Sequence, residues 1–144
     1  MAAAVLDASL VALLGIVTVC DVRTRLIPDL PLAANLVIAL AVCILWEPAV
    51  VPERLLAGLV AGGFLLAAAL IRPDGMGLGD VKLAAVLGFD LGGRVAEAML
   101  VAFAAGSAAG LLLLARHGLS ARGRAIPFAP FLAIGALVSL ATQP

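Results

Sequence analysis

Six long apolar runs, separated by short polar stretches, dominate this sequence. The longer runs approach the roughly 20 residues that an α-helix needs to cross the hydrocarbon core of a bilayer. The fourth run is too short to cross as a straight helix, so we expect it either to include residues 77–80 at membrane depth or to lie where the bilayer thins. The runs are residues 6–20, 31–46, 55–71, 81–92, 95–115 and 127–141.

The composition agrees with a membrane protein. Of the 144 residues, 65% are hydrophobic and 12% are charged, whereas soluble domains are nearer half apolar and a quarter charged. A chain of this size cannot enclose so much apolar surface in one water-soluble core. The sequence therefore predicts an all-α, polytopic membrane helix bundle with about six transmembrane helices, forming a single domain over residues 1–144.

Positive charges are concentrated on one predicted face. Short cytoplasmic loops of membrane proteins are rich in Lys and Arg, so we expect this face in the cytoplasm and both termini outside. Cations follow the first run rather than precede it, which favours a retained span over a cleaved signal peptide. The formal net charge is zero, and no nucleic-acid partner is predicted. The cations on this face are Arg23, Arg25, Arg72, Lys82, Arg116, Arg122 and Arg124, against Arg54 and Arg94 on the other.

Two aspartates lie where apolar sequence meets polar sequence on this face. Asp21 ends the first run and Asp80 begins the fourth. An ionisable side chain at membrane depth is costly and marks a candidate functional site. Two carboxyls that share one proton can divide the work of hydrolysis, because one activates water and the other polarises a peptide carbonyl. The alternative interpretation is that both are helix-end carboxylates, with Asp80 capping the fourth helix.

The residues around Asp80 add further expectations. The glycines at alternating positions before it permit unusual torsions or the close approach of another chain, so we expect a substrate strand beside them. Lys82 is predicted to reach toward lipid phosphates, and Asp29 to lie in a turn. Asp90 is predicted to be solvated near the opposite face. The glycines are Gly75, Gly77 and Gly79.

Three stretches resemble the type IV prepilin peptidase family, the GxGD aspartic membrane proteases of bacteria. Residues 21–29 resemble the family's first aspartate followed by a basic residue and Ile-Pro. Residues 77–83 resemble its GxGD motif followed by Val-Lys-Leu, and residues 126–133 its Ile-Pro-Phe-Gly-Pro segment, with Ala129 in place of glycine. The matching residues beside the aspartates are Arg23, Ile27, Pro28, Lys82, Pro127, Phe128 and Pro130.

The resemblance implies that Asp21 and Asp80 are the catalytic pair and that water is the nucleophile, so no metal or organic cofactor is expected. It implies removal of the basic leader from prepilins or pseudopilins, typically after a glycine, at the cytoplasmic face of the bacterial inner membrane, with membrane lipid as the other partner. The first loop is short and lacks cysteines. The chain therefore resembles the short, Flp/Tad-type form without the methyltransferase loop, which weighs against methyltransferase activity.

Two other functions stay open at the level of the residues. Asp21 and Asp80 could serve as proton-relay sites in a transporter or in a non-enzymatic membrane subunit, because intramembrane carboxylates have such roles. Ser107 and His117 could be the nucleophile and base of a serine protease. Their spacing places them about 15 Å apart along one straight helix, which is too far for a hydrogen-bonded pair.

Overall fold

The computed structural model describes residues 1–71, 76–118 and 127–142. Within these ranges the backbone forms six α-helices and two short 3-10 helices, and no β-strand. The predicted all-α helix bundle is therefore confirmed. The α-helices are α1 (Ala2–Thr24), α2 (Asp29–Trp46), α3 (Val51–Ile71), α4 (Leu78–Leu91), α5 (Val95–His117) and α6 (Ala129–Ala141).

Several segments of the described chain are long and apolar enough to cross a membrane. By length and composition they are Ala2–Thr24, Asp29–Trp46, Pro48–Ile71 and Leu78–His117. The last segment contains both α4 and α5, which only the short helix Gly92–Arg94 separates. Many large apolar side chains point away from the protein interior, where lipid can cover them. The chain is a multi-pass membrane protein.

Polar contacts at both ends of the bundle show that its helices alternate in direction. At one end, Arg94, just before α5, donates a hydrogen bond to the backbone oxygen of Ser139 near the end of α6, at 3.0 Å. At the other end, the backbone N–H of Ala129 at the start of α6 donates to Asp21 near the end of α1, at 3.3 Å. Gly79 at the start of α4 packs against Ile27, which follows the end of α1, so Asp21 and Asp80 lie on the same side, as two intervening crossings require.

Small residues bring two pairs of helices into close contact. A Cβ atom at Gly88 of α4 would lie 2.6 Å from the Ala57 carbonyl oxygen of α3. A Cβ atom at Gly135 of α6 would overlap the Ala98 carbonyl oxygen of α5. Helices in lipid associate through such close backbone approach, because the bilayer offers no hydrophobic driving force between them. The contacts fix the short helices α4 and α6 against the longer helices α3 and α5.

Measured along the helix axes, α4 begins well short of the end of α3. A Cβ atom at Gly62 of α3 would lie 3.5 Å from the carbonyl oxygen of Val81 in α4, which sets the two helices at one level. From that level α3 continues about 14 Å to Ile71, whereas α4 reaches back only about 5 Å to Leu78. The helix of the short fourth run thus includes Leu78, Gly79 and Asp80, and it starts short of the end of α3.

Helix α6 begins in a similar position beside α5. A Cβ atom at Gly106 of α5 would lie 3.2 Å from the ring of Phe128, which immediately precedes α6. From Gly106, α5 continues about 16 Å to His117. The described N-termini of α4 and α6 therefore both lie short of the ends of the longer helices α3 and α5.

Candidate active site

Asp21 lies on the buried face of α1, about one turn before the helix ends, and only 6% of it is exposed. Its Oδ2 atom accepts the hydrogen bond from the backbone N–H of Ala129. The first N–H groups of a helix have no partner within the helix and form its positive end, so the start of α6 suits a carboxylate. Arg25 ends α1 in a left-handed conformation, and its charge acts on Asp21.

The Pro-Phe-Ala-Pro segment, residues 127–130, leads into α6 and explains how Ala129 reaches Asp21. Pro130 occupies the first turn, where a missing N–H costs nothing. The ring of Phe128 packs against Phe103 of α5, with the ring centroids 5.5 Å apart. Ala129 is helical and fully buried, so alanine suits this backbone where the family pattern has glycine. Pro127 and Phe128 are themselves half-buried.

Asp80 is the third residue of α4 and is 9% exposed. Gly77 is the residue before the helix and has no side chain with which to cap it. The Asp80 carboxyl lies in the first turn of α4 and interacts with the backbone of Gly77, so the helix-end interpretation applies beside the functional one. The Oδ1 atom of Asp80 is buried and has no hydrogen-bond partner among the described residues. A buried polar atom without a partner is costly, and in a functional site such an atom is available to water or substrate.

Asp21 and Asp80 come from contacting helices at the same end of the bundle. Helices α1 and α4 pack together, and the two carboxyls are close enough for their charges to interact. Within the described residues no hydrogen bond joins them directly. The structure therefore places two buried carboxyls near each other, one held by a backbone N–H and one with a free oxygen.

Ile27 connects the two aspartate motifs. A Cβ atom at Gly79 would lie 2.9 Å from the Cβ atom of Ile27, so the protein itself occupies the space that was expected to admit a substrate strand. Neither Gly77 nor Gly79 has a positive φ, and unusual torsions do not explain them. A Cβ atom at Gly77 would make an ordinary 3.8 Å contact with Asp80. Gly75 lies outside the described residues.

Lys82 and Asp29 form an ion pair that sequence reasoning did not anticipate. The Lys82 Nζ atom lies 2.8 Å and 2.9 Å from the two carboxylate oxygens of Asp29. Lys82 was expected to reach lipid phosphates, but a carboxylate at the start of α2 is within its reach. Asp29 was expected in a turn and is instead the first residue of α2. The remaining motif residues of the first loop are exposed or half-buried: Arg23, Ile27 and Pro28.

A second buried polar cluster lies at the other end of α4. The Asn35 side chain of α2 donates a hydrogen bond to Asp90 Oδ2 at 2.6 Å, and the two residues are 4% and 6% exposed. Arg54 of α3 donates to the backbone oxygens of Phe89 and Asp90. The prediction that Asp90 is solvated was wrong, because α4 ends inside the bundle, where Asn35 and Arg54 supply polar surroundings. The sequence signal that could have indicated this buried cluster is Asn35, a polar residue within the second apolar run.

Replacement of Asn35 by leucine is expected to lower the free energy of unfolding by roughly 2–3 kcal/mol, because it leaves the buried Asp90 carboxyl without its donor. Unfolding in mixed micelles with increasing SDS measures this difference. The double variant Asn35→Leu/Asp90→Leu is the matched comparison, since removing both partners costs less than removing one. Losses that simply add in the double variant would show that the two side chains do not stabilise each other.

The proposed serine pair does not form. Ser107 and His117 both lie on the single helix α5 and are exposed. Their separation along that helix is about 15 Å. A nucleophile and its base need hydrogen-bond distance, so these two residues do not constitute a catalytic site.

The fold and the site together define a multi-pass, all-α membrane protein with two buried aspartates at one end of its helix bundle. A sequence model of the type IV leader peptidase family matches residues 8–115, and the chain belongs to this family. The prepilin leader peptidase/N-methyltransferase of Bacillus subtilis (strain 168) is 37% identical to it over 145 residues, which is 90% of this chain. The match covers 52% of that relative, so the chain spans about half of its length. No solved structure gives a significant match.

Proposed function

We propose that this chain is a membrane-embedded aspartic endopeptidase that removes the basic leader peptide from prepilins or pseudopilins, typically after a glycine. The observation that carries the proposal is the pair of buried carboxyls, Asp21 and Asp80, at one end of the bundle. Membership of the leader peptidase family supports a peptidase, and the similarity to the prepilin leader peptidase of Bacillus subtilis supports a prepilin as the substrate. The proposal covers the peptidase reaction only.

The reaction proceeds by addition of water to the scissile carbonyl. One carboxyl is ionised and takes a proton from water, while the other is protonated and donates a hydrogen bond to the carbonyl oxygen. The proton then passes to the leaving nitrogen as the C–N bond breaks. The Ala129 N–H holds Asp21 in place, and the free Oδ1 of Asp80 offers an unused position for water or the carbonyl. Because both carboxyls are buried, these interactions act at a lower effective dielectric than in water.

The level at which α4 and α6 begin supports an approach of the substrate from the polar end of the bundle. Both helices begin short of the ends of α3 and α5, so the aspartates lie inside the polar end of the bundle rather than at its middle. A peptide that arrives from the polar end meets both carboxyls. A substrate whose cleavage site borders a membrane-embedded helix suits this position.

The proposed orientation places the aspartate end in the cytoplasm, at the inner membrane of a bacterium. Cations predominate at this end of the described residues, which the positive-inside rule associates with the cytoplasm. At the opposite end, Arg54 and Arg94 donate hydrogen bonds to backbone oxygens. Arg72, Arg122 and Arg124 lie outside the described residues. The described cations at the aspartate end are Arg23, Arg25, Lys82 and Arg116.

Cleavage of a purified prepilin tests this function. The chain is reconstituted in proteoliposomes with a substrate that has a basic leader, a glycine and a hydrophobic helix, and the released leader is identified by mass spectrometry. We expect one cut, directly after the glycine, and much slower cutting when that glycine is changed to valine. Absence of cleavage with several prepilins, by protein shown to be folded, would contradict the proposal and favour the proton-relay alternative.

A further inference from the structure

An apolar groove lies between α2 and α4 and opens on the outside of the bundle. Its volume is about 330 Å³, and Asp29 and Lys82 stand at one end of it. Its apolar walls are formed by Leu32, Ala33, Leu36, Ala85 and Val86. A groove with such walls, placed at the level of membrane-spanning helices, suits an apolar occupant.

The charged end of the groove is continuous with the candidate active site. Lys82 follows Asp80 by two residues on α4, and Asp29 follows Ile27 by two residues in the chain. Ile27 packs on Gly79, so both ends of the ion pair are tied to the aspartate motif. The groove therefore starts beside the catalytic end of α4 and runs along α4 toward the opposite end of the bundle.

We propose that this groove binds the hydrophobic helix that follows the scissile bond in the prepilin substrate. The inference rests on the proposed peptidase function and deepens it, because it assigns a site for the part of the substrate that is not cut. A substrate helix in the bilayer must bring its end to the two aspartates from the side. The groove lets it do so while the helix remains at membrane depth.

Distances along α4 fit this arrangement. Ala85, in the groove, lies about 8 Å along the helix from Asp80. Two or three residues of extended substrate, at about 3.3 Å each, cover that distance. A helix seated on Ala85 can therefore unwind at its end and present a bond to Asp21 and Asp80.

The composition of the groove favours a helix as its occupant. Ala33 and Ala85 face it from the two walls, and small residues allow helix backbones to approach closely in lipid. The ion pair marks where the apolar surface stops, since the Lys82 and Asp29 side chains are 55% and 70% exposed. These features set how far the substrate helix can slide and thereby which bond is cut.

Two neighbouring alanines of α2 provide a matched test. Ala33 and Ala34 are both exposed, but only Ala33 lines the groove. We expect Ala33→Phe to lower kcat/KM for the full-length prepilin roughly tenfold, because a filled groove excludes one or two apolar contacts of the substrate. The same variant should cleave a short leader peptide, which ends a few residues after the scissile bond, at the rate of the parent. Ala34→Phe should leave both rates unchanged.

Photo-crosslinking gives a readout that does not depend on activity. With benzoylphenylalanine at position 33 or 34 in an Asp80→Asn background, we expect adducts with the hydrophobic helix of the prepilin from position 33 only. Equal effects of Ala33→Phe and Ala34→Phe, or adducts from position 33 with lipid alone, would overturn the docking site while the peptidase function stands. Failure of the parent to cleave either substrate would instead overturn the peptidase function and, with it, this inference.

Discussion

Exchange of Asp21 or Asp80 for asparagine is expected to lower the rate of leader release by roughly 10²- to 10⁴-fold, the usual contribution of a positioned acid or base. Asparagine has nearly the shape of aspartate but can neither take a proton from water nor share one with the other carboxyl. At Asp21 it can still accept the Ala129 N–H through its amide oxygen. The loss of activity should therefore come without a loss of the fold.

The two single variants and the double variant should be about equally inactive, because groups that act as a unit in catalysis have non-additive effects. Initial rates of leader release, measured in proteoliposomes at equal protein content, give the comparison. Asp7→Asn is the matched control, since Asp7 lies near the start of α1, at the opposite end of the bundle. A single variant that retains most of the parent's rate would remove that aspartate from the catalytic pair.

Gly79→Val is expected to abolish the proposed leader release while the protein still inserts into the membrane. A Cβ atom at this position already lies 2.9 Å from the Cβ atom of Ile27, and the branched valine side chain adds two more carbons. The start of α4 must then move away from the first loop and carry Asp80 with it. A displacement of about 1 Å in a catalytic group can cost roughly 10²-fold in rate.

A glycine elsewhere in the bundle and a smaller side chain at position 79 provide the controls. Gly63→Val should retain activity, because a Cβ atom at Gly63 meets nothing within 4 Å. Gly79→Ala should be less impaired than Gly79→Val, because alanine adds the Cβ atom without the two further carbons of valine. The measured quantity is kcat/KM for the prepilin, with the membrane-inserted amount determined in parallel. Full activity of Gly79→Val would mean that the contact with Ile27 does not position Asp80.

The helices could be predicted because the bilayer fixes their length and polarity. Each apolar run of the sequence became a helix, including the short fourth run. The boundaries were less accurate: the first run covers residues 6–20, whereas α1 extends over Ala2–Thr24. Helices continue into flanking residues when backbone hydrogen bonds still form there, and hydropathy does not report where those bonds stop.

The two aspartates could also be singled out, because a carboxylate at membrane depth needs a reason. Their surroundings could not be derived from the residues. The Ala129 N–H reaches Asp21 across 108 positions of the chain. The Asn35–Asp90 and Lys82–Asp29 contacts join different helices across 55 and 53 positions. Such pairings depend on how helices rotate and pack, which apolar runs and spacing within one helix do not determine.

The structure gives Gly79 a physical role different from the one that the sequence suggested. The sequence drew attention to Gly79 because alternating glycines suggested room for a substrate strand. In the structure the side chain of Ile27 uses that room. The position is sensitive to substitution in both interpretations, but only the contact with Ile27 explains why the first-loop motif and the GxGD motif belong to one site.

The most direct test of the central claim, that Asp21 and Asp80 jointly hydrolyse a peptide bond, is prepilin cleavage in water enriched in oxygen-18. The parent and the double variant Asp21→Asn/Asp80→Asn are compared by mass spectrometry of the released leader. The account predicts that the parent places one oxygen-18 atom in the new carboxylate of the leader and that the double variant releases none. Leader release by the double variant at the rate of the parent, or an acyl-enzyme trapped by hydroxylamine in the parent, would contradict it.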